Sequence, residues 1–256
     1  MGEGQSRIAT RLDRIYVCEE TGKGSRVHQD WQVADKDARF TLQAALGLSW
    51  SQSLFVGQYN LVVEGITDFW YLSAFSNLFA AAGRPGIDEE LVVTPAGGAS
   101  KVAYVGTILR GQELGVCVLL DSDKEGMNAY EQLVNQWLLD AKYALRLGDV
   151  LGVTEPIAIE DLLGEEYFLR LVNEVYAKEL SGKLLVLKKA DRRPLVDRCE
   201  EALQKTGIVS FNKGRVAKRI MREIGGKQID EFPKETIERF EKLFAAINSI
   251  VNEWRK

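Results

Sequence analysis

The sequence predicts an α/β fold, a parallel sheet flanked by helices, followed by a mainly helical C-terminal part. Three observations lead there. Short apolar runs at residues 60–63, 91–94 and 116–120 are separated by helix-length segments, an order that implies parallel pairing through right-handed crossovers. Each run stops abruptly at acids or glycines, and in such sheets the working groups gather at the carboxyl ends of the strands. Beyond Glu165 the strand-like runs cease, and charged segments of helical character take over, broken at Gly182, Pro194, Gly207, Gly225-Gly226 and Pro233.

Residues 13–27 read as two short strands around the turn Thr21-Gly22-Lys23-Gly24. TGKGS is not a phosphate loop, because the glycine and the Ser or Thr that such a loop needs are replaced by Val17 and Gly24. Residues 35–48 suggest a helix capped near Asp35 and ending at Gly47. Strand 60–63 leads through Glu64-Gly65 into a helix closed by Gly83. Strand 91–94 leads through PAGGASK into a helix starting near Ser100, and strand 116–120 runs into Asp121 and Asp123. A helix over 127–146 and an edge strand over 153–159 follow. The last helix starts at Pro233 or Lys234, with Ile237, Phe240, Leu243, Phe244, Ile247 and Val251 on one face. This divides the chain into an N-terminal segment (1–48), a sheet domain (49–165) and a helical domain (166–256). No flexible linker separates the last two, so the helical part is expected to pack on the sheet.

The 256 residues are 46% hydrophobic, enough for one large or two modest cores. His28 is the only histidine, which excludes a histidine-rich zinc site and leaves little for Ser–His catalysis. Cys18, Cys117 and Cys199 lack zinc or disulfide spacing. No apolar run is long enough to span a bilayer, and the first residues lack a signal-peptide pattern, so an intracellular, cytoplasmic chain is expected. Charge is uneven: residues 1–177 carry net −11 and residues 178–256 net +7, for −4 in all. A basic face of this kind is ordinarily just solvated, but it also suits phosphates.

NLVVEGITDFW puts Glu64 at a strand end and Asp68 about one helical turn on, so both can face one pocket. LLDSDKEG adds Asp121 and Asp123 at another strand end. Four acids brought together there repel one another, and Mg²⁺ or Mn²⁺, hard cations that favour carboxylate and water oxygens, removes that cost. Taken singly, EGxxD is an ordinary helix start and DxD an ordinary solvated loop. In this order and at strand ends they form a set.

An apolar strand ending in Glu-Gly, then one ending in Asp-x-Asp-x-x-Gly, resembles the Toprim domain of topoisomerases, primases, RecR-like proteins and certain nucleases. More narrowly, LFVGQYNLVVEGITDFWYL, TPAGGASKV, VLLDSDKEG and IAIEDLL are similar to the C-terminal region of class 2 OLD-family (overcoming lysogenisation defect) ATP-dependent endonucleases, from about Asp35 to Lys218. The resemblance implies a Toprim-like catalytic domain that nicks and cleaves DNA with two Mg²⁺ or Mn²⁺ ions, Ca²⁺ substituting structurally. It implies Glu64, Asp68, Asp121 and Asp123 as acidic metal-binding residues. Glu160 or Asp161, the former favoured, would complete a second ion site, and Lys213, with Lys218 as the alternative, would approach the scissile phosphate. Apart from the resemblance, a glycine-rich turn lets phosphate approach backbone N–H groups, so Gly97, Gly98 and Ser100, with Lys101 and Lys218, are candidate DNA contacts, the alternative being that the glycines simply shape a turn. Residues 1–30 look like the tail of an ATPase region, so the implied partner besides DNA is the ATPase domain of a full-length protein; no membrane is implied, and homodimerisation is left open.

Three other readings compete. A topoisomerase or primase would want a tyrosine nucleophile in a partner domain or a zinc module. A phosphatase using Asp121 as nucleophile leaves Glu64 and Asp68 unexplained. A non-catalytic Toprim DNA-binding or assembly module would retain the acids without cleavage.

Overall fold

The structure, a computed structural model, describes residues 17–21, 24–28, 57–110, 114–135, 138–188, 190–208 and 210–256. Two compact units are present, Met1–Val56 and Gly57–Lys256. In the first, strands β1 (Val17–Thr21) and β2 (Gly24–His28) pair antiparallel with Val17 opposite His28, as the strand–turn–strand pattern requires. The helix expected over 35–48 lies outside the described residues.

The second unit is α/β, with a four-stranded parallel sheet flanked by helices and a helical C-terminal part, a Toprim-like arrangement. Strand β3 (Tyr59–Val63) leads to helix α1 (Ile66–Ala81), β4 (Leu91–Pro95) to α2 (Ala99–Arg110), and β5 (Gly115–Leu120) to α3 (Lys124–Asn135). A 3₁₀ turn, Ala141–Tyr143, then opens the short strand β6 (Ala144–Arg146). The sheet order is β4-β3-β5-β6, with Tyr59 in register with both Leu91 and Gly115, and Val118 with Ala144. From β3 the chain winds outward to β4 and then crosses to β5 on the other side. The strand order therefore reverses between β3 and β5, where a crevice forms at the carboxyl ends of open parallel sheets.

Two expectations are corrected. The helix expected over 127–146 is α3 alone, ending at Asn135, and residues 144–146 instead supply the fourth strand. A three-residue strand is too short to show a period, and pairing with the open edge of Val118–Leu120 overrides the helical pattern. Residues 153–159 are not an edge strand. After α4 (Leu147–Leu151) and Gly152, this stretch passes over the end of β5, where Ile157 O accepts from Ser122 N (2.8 Å) and Ile159 N donates to Asp121 Oδ1 (3.1 Å). Pro156 has no donor for a ladder, and the 3₁₀ segment Ile159–Leu163 follows directly.

The remaining helices are α5 (Glu165–Val175), α6 (Leu195–Lys205), α7 (Lys213–Ile224) and α8 (Lys234–Trp254). The apolar face foreseen for α8 is buried at Ile237, Phe240, Leu243, Phe244, Ile247 and Val251. It packs on α4, on the 3₁₀ segment Ile159–Leu163 and, through aromatic rings, on α1, which itself packs against β3, β4 and α7. Phe75 of α1 stacks on Phe240 at 3.9 Å between ring centroids, and Phe79 meets Phe244 edge-on at 5.2 Å. Helix α1 is apolar nearly all round because neighbours cover it on more than one side. Sheet and C-terminal helices thus share one core within the unit Gly57–Lys256. Phe240→Ala is expected to cost about 3–5 kcal/mol. Urea melts followed by far-ultraviolet circular dichroism and by tryptophan fluorescence should shift together, because α1 couples the two layers. Cys117 and Cys199 are buried, and among the described residues no helix is long and apolar enough to cross a membrane.

Candidate functional site

The site begins where β3 stops. Gly97 N (2.9 Å) and Gly98 N (2.6 Å) donate to the carbonyl oxygen of Glu64, and Ala96 N donates to Val63 O (2.8 Å). Gly97 (φ +84°) and Gly98 (φ +130°) hold conformations that side chains resist, which is why this turn is glycine-rich. The expectation that these two residues offer N–H groups to DNA phosphate is corrected, since both donors are spent on Glu64. The turn fixes the strand end. Ser100 and Lys101 lie exposed in the first turn of α2.

On the adjacent strand, Asp121 N donates to Glu64 Oε1 at 3.0 Å, joining the two acidic motifs across the crevice. The two aspartates of DSD then part company. Asp121 is 7% exposed and accepts from Ile159 N, whereas half-buried Asp123 caps α3 by accepting from Gly126 N at 2.8 Å. A Cβ on Gly126 would lie 2.1 Å from Asp121 O and 3.2 Å from Glu64 Oε1, so the motif's final glycine is a matter of space. Asp68, 4% exposed, caps α1 by accepting from Gly65 N (3.1 Å).

The 3₁₀ segment separates Glu160 from Asp161. Asp161 Oδ2 accepts from Ala158 N (2.8 Å) and Oδ1 from Leu195 N (3.1 Å), so this side chain ties the segment to α6. Glu160 is fully buried, neither carboxylate oxygen has a hydrogen-bond partner among the described residues, and Lys213 Nζ is 3.7 Å from Oε1. Unsatisfied buried oxygens cost roughly 1–3 kcal/mol each, and more when charged, so this is where a further group is wanted. Lys213 opens α7 behind the cap Asn212, whose side chain accepts from Arg215 N. Lys218 stands instead over the Trp70 ring, 5.4 Å from its centroid. Of the two alternatives left open by sequence, Glu160 and Lys213 stand together with the other acids.

Burial dominates the electrostatics. It raises Glu64 to about 7; the Asp121 N–H opposes this, Asp68 and Asp123 add to it, and Lys213 opposes it. Burial likewise raises Glu160 to about 7, against the pull of Lys213. Asp121 is pushed well up by burial and by Asp68, Glu64 and Glu160, and Asp68 is raised by burial although Lys213 opposes it. Burial works against the charge on Lys213, but Glu160, Asp68, Asp121 and Glu64 together hold its pKa above the usual lysine range. One ammonium thus faces four buried or half-buried carboxyls, with Asp123 at the rim. As the side chains stand, no three acids, histidines or cysteines among the described residues are grouped as an ion-binding set. Glu64, Asp68 and Asp121 instead accept from nearby backbone N–H groups.

Two further residues belong to this neighbourhood and carried no motif signal. Tyr71 lies one turn beyond Asp68 on α1; the i, i+3 spacing after EGxxD was its only trace in the sequence. Asp197, in the first turn of α6, feels the charges of Asp123 and Lys213, and no local pattern ties it to either. A scan against protein-family models gives no match to this chain, and neither does a search of curated proteins.

Proposed function

We propose that the chain is a divalent-metal-dependent DNA endonuclease of the Toprim type, akin to the nuclease region of OLD-family proteins, and that it nicks and cleaves the phosphodiester backbone. The observation that carries this reading is the buried acidic set facing, among the described residues, a single lysine, with both Glu160 oxygens lacking hydrogen bonds there. A structural ion-pair network would balance its charges, and this one does not. The donor set is all carboxylate, which suits Mg²⁺ or Mn²⁺. Glu64, Asp121 and Asp123 would hold one ion, and Asp68 with Glu160 the second. When bound, such ions make a water nucleophilic near neutral pH and neutralise the leaving oxygen.

The chain's own groups supply the rest. Lys213, half-exposed beside a buried Glu160, is fixed as a cation where negative charge on the phosphate grows during the reaction. The net +7 of residues 178–256 favours the DNA backbone without reading sequence, so binding should weaken steeply with salt.

The test is a supercoiled plasmid incubated with Mg²⁺, Mn²⁺, Ca²⁺ or EDTA. Nicked and then linear DNA is expected with the first two and neither product with EDTA. Lys213→Met should lower kcat on the order of 10²-fold while leaving DNA retention nearly unchanged. A second reading, a non-catalytic DNA-binding module, draws on the acids' engagement with backbone donors rather than with one another. DNA retention without cleavage under every cation would establish it in place of the nuclease.

A further inference from the structure

Tyr71 is wholly buried on α1, and its hydroxyl has no hydrogen-bond partner among the described residues. A buried tyrosine ordinarily spends its hydroxyl on something, since its ring alone would serve a core position equally well as phenylalanine. Burial holds its proton on well above the usual tyrosine range, and the charges of Glu160 and then Asp68 add to that. The hydroxyl is therefore a donor beside carboxylates. Glu160 has the complementary deficiency, with two buried acceptor oxygens and no hydrogen-bond donor among the described residues. Asp68 and Tyr71 share one face of α1, and α1 packs against α7, whose first residue, Lys213, is the ion-pair partner of Glu160.

A buried hydroxyl donor and a buried carboxylate acceptor that do not bond directly, with the Lys213 ammonium 3.7 Å from that carboxylate, provide the two to four polar partners that a buried water requires. We propose that Tyr71 is a positioning residue: its hydroxyl donates to one ordered water, which donates in turn to Glu160 and holds that carboxylate facing Asp68. The inference rests on the metal-dependent reading above, because its consequence is the orientation of the carboxylate assigned to the second ion. Tyr71 itself touches neither DNA nor the reacting atoms.

Tyr71→Phe removes one oxygen and keeps the ring. Mn²⁺ binding to the full chain, followed by calorimetry, is expected to weaken on the order of 10-fold, the size typical of losing a partner that orients a ligand. The KM for plasmid should not change. Phe75→Leu, on the same helix but packed on Phe240, serves as the control for a merely structural effect: it should lower Tm and leave Mn²⁺ affinity alone. A cycle combining Tyr71→Phe with Glu160→Gln is expected to be non-additive. Unchanged Mn²⁺ affinity in a folded Tyr71→Phe chain overturns the Tyr71 role while leaving the nuclease reading intact. A parent chain that binds no Mn²⁺ overturns both.

Discussion

Glu64→Gln and Asp121→Asn are each expected to reduce Mg²⁺-dependent nicking more than ~100-fold, beyond what the loss of a residue that only orients a ligand typically costs. These replacements are chosen over alanine because of what the two carboxyls do for the fold. Glu64 Oε1 accepts from Asp121 N, and Asp121 Oδ1 accepts from Ile159 N. An amide keeps an oxygen at each place, so the strand ends and the 3₁₀ segment stay where they are while the negative charge is lost. Both side chains are largely buried and held above the usual carboxylate range by that burial. Removing a charge from such a crowd should therefore leave the metal-free protein as stable as the parent or more so. The combination of lost cleavage with preserved or raised Tm is the signature of an acid kept for chemistry at the expense of stability. A plasmid-nicking assay beside a thermal melt reads both. Cleavage at the parental rate by either folded variant, free of contaminating nuclease, would remove these residues from the site.

The parts of this site legible in the sequence were those fixed by local chemistry at strand ends. Glu64 and Asp121 announce themselves because β3 and β5 are apolar runs that end in acids, and Gly126 because its Cβ would strike the backbone of Asp121. Helix α8 was legible from its stripe of apolar residues, which the fold buries on α1. What escaped depends on contacts distant along the chain. Strand β6 exists because the edge of β5 was open to pair with it. The stretch 153–159 looked like a strand but carries Glu160 over the end of β5, held by bonds to Ser122 and Asp121 that no period encodes. Adjacency alone left Glu160, though favoured, level with Asp161; what tells the two side chains apart is Leu195 N, which donates to Asp161 from far along the chain. The glycine turn was read as a place where phosphate could approach or as a shaped turn only, and its Gly97 and Gly98 donors face inward to Glu64.

The metal-free chain should lose stability as pH rises from about 5 to about 8, and Mg²⁺ should restore it, more strongly at the higher pH. Glu64 and Glu160 are raised from an ordinary 4.5 to about 7, and Asp161 from 3.8 to about 6. A carboxyl raised in the folded state binds its proton more tightly there than in the unfolded chain. Unfolding therefore releases protons across this window, and stability falls with pH until the folded-state value is passed. Glu160, fully buried, accounts for a change on the order of 3 kcal/mol. Glu223, Asp191 and Glu201, lowered to about 2 by their basic partners, act in the opposite sense, but their window lies below about pH 4.5 and leaves this one untouched. A cation that binds only the folded, ionised site adds stability by mass action, and protons compete with it. Thermal melts at about pH 5.5 and about pH 8, with Mg²⁺ and with EDTA, should show a Tm rise with the metal on the order of 5 °C at the higher pH and little at the lower. Glu160→Gln should flatten both the pH dependence and the response to metal. A metal-free chain that gained stability between these two values would show that its acids are not crowded as described, and the need for cations would go with that crowding.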